Sequence, residues 1–119
     1  MIEGLSHMTF VSSGDRTFSV SREKFFVAGD VWIAVMEGES LPTRSYNHVA
    51  FKVADEEIEP CLERIRSLGL EVKPPRPRVE GEGRSIYFHD EDNHLFEIHS
   101  GTLEQRLAAY ERMNTEAAE

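Results

Sequence analysis

Two histidines and one glutamate stand in settings that suit metal ligation. They are His7 in Leu5-Ser6-His7-Met8-Thr9-Phe10, His48 in Tyr46-Asn47-His48-Val49-Ala50-Phe51, and Glu97 in His94-Leu95-Phe96-Glu97-Ile98-His99. Each run alternates or mixes β-branched, aromatic and polar residues in the manner of a strand. Successive side chains on a strand point to opposite faces, so His7 shares a face with Thr9, and Leu95, Glu97 and His99 share another. A carboxylate set so closely among apolar residues needs a partner or a metal. Two imidazoles and one carboxylate on adjacent strands form a facial triad with open positions, a donor set for Mn(II), Fe(II) or Zn(II). A lone histidine on a strand is more often an ordinary hydrogen-bonded residue. The matching contexts of His7 and His48, together with the placement of Glu97, favour the metal. His89, His94 and His99 compete for the role. His94 is the weakest, because beside the acidic turn Asp90-Glu91-Asp92-Asn93 it reads as a solvated turn residue.

The elements that must carry these residues follow from pattern. Strands are expected at Leu5 to Val11, Thr17 to Val20, Glu23 to Val27, Val31 to Met36, Tyr46 to Val53, Leu70 to Lys73, Arg84 to His89 and His94 to His99. Ser12-Ser13-Gly14-Asp15 reads as a turn. From Asp55 to Leu68, Ile58, Cys61, Leu62 and Ile65 recur at helical spacing, with Asp55 as a possible cap and Gly69 as the stop. Pro60 falls in the first turns, where it costs little. A last helix runs from Thr102 to about Met113 along Leu103, Leu107 and Tyr110, with Thr102 and Gln105 as a capping box. The tail from Asn114 is expected to fray.

The 119 residues suffice for one domain with one sizeable core. A net charge of −9 argues against nucleic acid and anionic membranes as partners. The single cysteine, Cys61, excludes an internal disulfide, and no apolar run is long enough to span a bilayer. A cytoplasmic protein is expected.

His7-Met8-Thr9-Phe10 and His48-Val49-Ala50-Phe51 match in type and alternation, and each is followed by three short strands. This makes two copies of one βαβββ unit, an α+β fold. The first copy is short. His48 to Glu97 spans 49 positions, whereas His7 to Ala34, the corresponding pair, spans 27. The difference of 22 is about one helix with its connections, which points to a segment missing between Val11 and Ser12, either skipped or truly absent. The expected organisation is a single domain over 1–119, with an incomplete first unit at 1–41, a second at 45–101, and a C-terminal helix and tail at 102–119.

The series LSHMTF, SREKFF, SYNHVAF and RVEGEGRSIYFHDEDNHLFEIHSGTLEQRL resembles the vicinal oxygen chelate superfamily. Within it, the resemblance is to fosfomycin resistance proteins of the FosX type. The resemblance implies paired βαβββ units and a homodimer with strands exchanged and metal sites shared between chains. It implies Mn(II) or another divalent ion on His7, His48 and Glu97, with His7 from one chain and the other two from its partner. The implied substrate is a small phosphonate epoxide, and the implied reaction is addition of water to the oxirane ring. Glu23 in SREKFF would be the general base; otherwise it is a solvated strand glutamate. Thr9, Tyr46, Ser85, Tyr87 and Arg106 would bind the phosphonate, with Arg78 and Arg84 as further cations; Trp32 would either wall the cavity or pack in the core. FosA-like members have a lysine where this chain has Pro77 or Arg78.

Three other readings compete. A thiol transferase would act on the same epoxide, but Glu23 and the lack of a thiol-binding cluster favour water. A non-catalytic drug-binding protein of the same fold needs no complete triad. If the helix is truly absent, the chain is a non-functional remnant.

Overall fold

The computed structural model describes residues 1–13, 23–75 and 80–118. The chain divides into two compact units, Met1–Thr43 and Arg44–Glu119. No helix among the described residues is long and apolar enough to cross a membrane.

The first unit contains β1 (His7–Ser12), β2 (Glu23–Ala28) and β3 (Val31–Glu37) in the order β1-β3-β2. β1 runs parallel to β3, and β2 runs antiparallel to it. Gly29, at φ +59, provides the left-handed residue in the two-residue turn between β2 and β3. Side chains in register share a face, so His7, Thr9, Glu23, Phe25, Trp32 and Ala34 lie together. The opposite face carries Met8, Phe10, Phe26, Ile33 and Val35. The expected strand at Thr17 to Val20 and half of the turn at Ser12 to Asp15 lie outside the described residues.

The second unit contains β4 (His48–Lys52), α1 (Ile58–Ser67), β5 (Glu71–Val72), β6 (Ser85–His89), β7 (Leu95–His99) and α2 (Leu103–Ala118). Its sheet order is β4-β7-β6-β5, with β4 parallel to β7. The parallel pair needs a crossover, and α1 is part of it. The apolar stripe of α1 buries Ile58 and Ile65 against Ile86 of β6, with Val53, Leu62, Val72, Phe88 and Ile98 packed around them. This covers the sheet face opposite Glu97.

Asp55 does not cap α1. A 3₁₀ turn at Asp55–Glu57 precedes the helix, and the Asp55 carboxylate accepts from Arg84 Nε at 3.2 Å and from Ser100 Oγ at 2.9 Å. The box at the last helix forms as expected: Thr102 N–H donates to Gln105 Oε1 at 3.0 Å, and Gln105 N–H donates to Thr102 Oγ1 at 3.1 Å. That helix does not end near Met113 but continues to Ala118.

Superposed by register, β1, β2 and β3 are the counterparts of β4, β6 and β7. Thr9 pairs with Ala34 as Ala50 pairs with Glu97, so Ala34 does hold the Glu97 position. Glu23 holds the position of Ser85, and Phe25 that of Tyr87. Residues 13–22, ten in number, join β1 to β2, whereas residues 53–84, thirty-two in number, join β4 to β6. The shortfall is again 22, which places it between the first two strands of the first unit. β1 passes unbroken through the expected join, with Val11 opposite Met36 and Ser12 opposite Glu37.

Candidate metal and substrate site

In the second unit, β4 and β7 bring His48 and Glu97 together. His48 Nδ1 lies 2.7 Å from the Tyr46 backbone carbonyl, which can only accept, so Nδ1 carries the proton of the neutral ring. The lone pair on Nε2 then faces Glu97 Oε1 at 3.0 Å. The Glu97 side chain is 5% exposed, so water does little to separate these two electron-rich atoms. A cation between them, either a proton or a metal ion, resolves the conflict. The donor set therefore fits a divalent ion.

The other carboxylate oxygen is held from behind. Ser85 Oγ donates a hydrogen bond to Glu97 Oε2. His99 Nδ1 lies 2.7 Å from Ser85 Oγ and 3.3 Å from the same carboxylate oxygen. The antiparallel register explains the grouping, because Tyr87 stands opposite Glu97 and Ser85 opposite His99. Tyr46 and Tyr87 meet the His48 ring edge-on, at centroid distances of 5.0 and 5.3 Å, and the Tyr46 hydroxyl donates to that of Tyr87 at 3.4 Å. Lys73 Nζ sits 5.4 Å from the Tyr46 ring centre, a cation that sequence reasoning did not single out.

A cavity of about 320 Å³ opens beside these groups, lined by His48, Ala50, Glu97, His99, Thr102 and Arg106 among others. Arg106, on the first turns of α2, thus shares a cavity with both expected ligands of this unit.

In the first unit, His7, Thr9 and Glu23 lie on one face of the sheet. The His7 ring packs on Trp32 at 4.5 Å, and its Nδ1 is 3.0 Å from Ser6 Oγ. Trp32 is therefore a neighbour of a proposed ligand rather than a core residue, and it is 41% exposed.

The competing histidines have other surroundings. His94 is not a solvated turn residue. Its side chain is 12% exposed, and Nδ1 meets Asp90 Oδ2 at 2.7 Å. Asp90, Asp92 and His94 form a cluster with three possible donors, all within 4.8 Å of one another. Asp90 Oδ1 there accepts the backbone N–H groups of Asp92 and His94, the bonding that closes the β6–β7 turn. His89 is buried, with Nδ1 3.5 Å from Glu71 Oε2. Burial, aided by the Arg44 charge, holds its imidazole below the ordinary histidine range. Arg84 donates to Asp55 at 3.2 Å and to Glu59 at 3.3 Å, so it braces the start of α1. Arg78 lies outside the described residues.

The model of the Glyoxalase/Bleomycin resistance protein/Dioxygenase superfamily matches residues 8–98, so the fold and this site define a protein of that superfamily. A fosfomycin resistance protein FosX from Listeria monocytogenes is 53% identical over 131 aligned positions, covering 92% of this chain and 98% of the relative. The chain belongs to the FosX type of fosfomycin resistance proteins. Because 92% of 119 is about 109 residues, about 22 of the 131 aligned positions have no counterpart here, a number equal to the shortfall in the first unit. A metallothiol transferase FosB from Shouchella clausii is more distant, at 36% identity over 94% of this chain and 90% of the relative. The crystal structure of the Listeria FosX complexed with Mn(II) and sulfate superposes with a TM-score of 0.85 at 51% identity, covering 92% of this chain and 99% of the other. A mutant of that protein has been crystallised with Mn(II) and 1S,2S-dihydroxypropylphosphonic acid.

Proposed function

We propose that this chain is a metal-dependent epoxide hydrolase that inactivates fosfomycin by adding water across its oxirane ring. The observation that carries the reading is the lone-pair face of His48 Nε2 set 3.0 Å from Glu97 Oε1 beside a cavity that Arg106 also lines. The diol phosphonate bound by the Listeria relative is the compound that water addition to this epoxide yields, and it supports the same reaction.

His48 and Glu97 would hold the ion with His7 of a second chain, in a homodimer whose two sites are each completed across the chains. Mn(II) is the metal in this reading, because the Listeria relative is complexed with it. The ion supplies Lewis acidity to the epoxide oxygen. Arg106 binds the phosphonate by charge-assisted hydrogen bonds, with Thr9, Tyr46 and Tyr87 as hydroxyl donors. Ser85 joins them in the resemblance, but here its hydroxyl hydrogen is directed at Glu97. Glu23 orients a water molecule and takes one of its protons as the oxygen attacks a ring carbon from the face opposite the breaking C–O bond. The released ring oxygen ends as a hydroxyl, so one water is consumed and a vicinal diol is formed. The two units at 1–41 and 45–101, with the helix at 102–119, act as one domain.

A thiol transferase is the second reading, favoured by the FosB relative. Incubation of the protein with Mn(II), fosfomycin and glutathione, followed by mass spectrometry, separates the two. A product heavier by one water is expected; a glutathione adduct would contradict hydrolysis.

A further inference from the structure

The inner side of the Glu97 carboxylate is held by two residues on the same sheet face. Ser85 has one hydroxyl hydrogen, and it goes to Glu97 Oε2. Its oxygen can still accept, and His99 Nδ1 approaches it at 2.7 Å. For that contact to be a hydrogen bond, Nδ1 must carry the ring proton. The same nitrogen stands 3.3 Å from Glu97 Oε2, so the imidazole N–H also favours that oxygen as the inward one.

The ring is fixed from its other side by the backbone. A Cβ on Gly101 would come within 2.8 Å of His99 Nε2, so the ring occupies space that only glycine leaves open. Gly83, at φ +92, crosses this junction so closely that its own Cβ would fall 2.6 Å from the Gly101 Cα. Two glycines and two strands thus confine a histidine that stands outside the set of His7, His48 and Glu97.

We propose that His99 is a positioning residue for the metal centre: it orients the Ser85 hydroxyl, and through it turns Glu97 so that Oε1 is offered to the ion. The inference rests on the reading of Glu97 as a metal ligand. A carboxylate free to rotate offers the ion a mixture of geometries, and loss of such outer partners costs about 10–100-fold in metal affinity.

The test is Mn(II) titration of the full-length protein by electron paramagnetic resonance without substrate, for wild type, Glu97→Gln, Ser85→Ala, His99→Leu, His99→Asn and Ser85→Ala/His99→Leu. An Asn amide can place a donor near the position of Nδ1, so it serves as the conservative variant. Losses of about 10–100-fold are expected in Ser85→Ala and His99→Leu. The double variant should lose little more than either single one, because both act through one chain of bonds. His99→Asn should recover most of the affinity, which a merely space-filling role would not allow.

Steady-state kinetics with fosfomycin add a second readout. Unchanged Mn(II) affinity in His99→Leu with a raised KM would make His99 a phosphonate ligand and overturn the proposal. Unchanged affinity and unchanged kinetics would also overturn it. If Glu97→Gln binds Mn(II) as wild type does, the metal reading itself falls and the proposal with it. If Glu97→Gln loses affinity and His99→Leu does not, only the role of His99 falls.

Discussion

His48 and Glu97 are 49 positions apart in the chain, yet their reactive atoms are 3.0 Å apart. Their types and strand settings were readable without coordinates, because alternation fixes which side chains share a face. The support behind them was less readable. His99 was visible as a face-mate of Glu97, but a two-residue offset cannot show that Ser85 stands between them. That depends on the antiparallel register of β6 and β7. For Glu23, replacement by Gln should lower diol formation by about 10²–10⁴-fold with Mn(II) binding retained, as loss of a general base does. Product assays and metal titration on the same sample check this. His89 carries a different prediction. Its folded-state pKa lies below its unfolded value of 6.5, so the native protein binds fewer protons at this site than the unfolded chain does. The stability it contributes is present above the unfolded value and is lost as pH falls through it toward the lower folded one. Melting curves at about pH 7.5 and 5.5 should therefore show a smaller drop for His89→Gln than for wild type; equal drops would remove His89 as a source of acid sensitivity.

At the scale of elements, α1 was legible from its spacing because an amphipathic stripe is imposed by burial, and Ile58 and Ile65 are buried as that stripe requires. Its start was not legible. Asp55 has the right chemistry for a cap, but Arg84 and Ser100, 29 and 45 positions away, claim its carboxylate. Local preference lost to a tertiary partner. The final helix outran its expected end because its Asn114-Thr115-Glu116 stretch contains no stop residue, only residues of middling propensity. Ile86 is the buried strand residue against which α1 packs. Replacement by Ala should cost about 2–5 kcal/mol by urea denaturation. In the first unit, Lys24 holds the position equivalent to Ile86, so a large effect at Ile86 and a small one for Lys24→Ala would mark the second sheet as the one that carries a helix. Similar costs at both positions would contradict that contrast.

For the whole molecule, the repeat was legible because His7 and His48 open matching strands, and the shortfall of 22 was legible because the two copies could be measured against each other. What the chain does with a shortened first unit depends on whether His7 still reaches a site. The central claim is that one ion is held by His7 of one chain with His48 and Glu97 of another. The most direct test joins His7→Ala and Glu97→Gln chains in one dimer, by co-expression with two different affinity tags and purification on both. Each variant alone should be inactive on fosfomycin with Mn(II). The mixed dimer contains one site with all three ligands and one with neither His7 nor Glu97, so about half of wild-type diol formation should return. No recovery in a dimer shown to contain both chains would contradict the account.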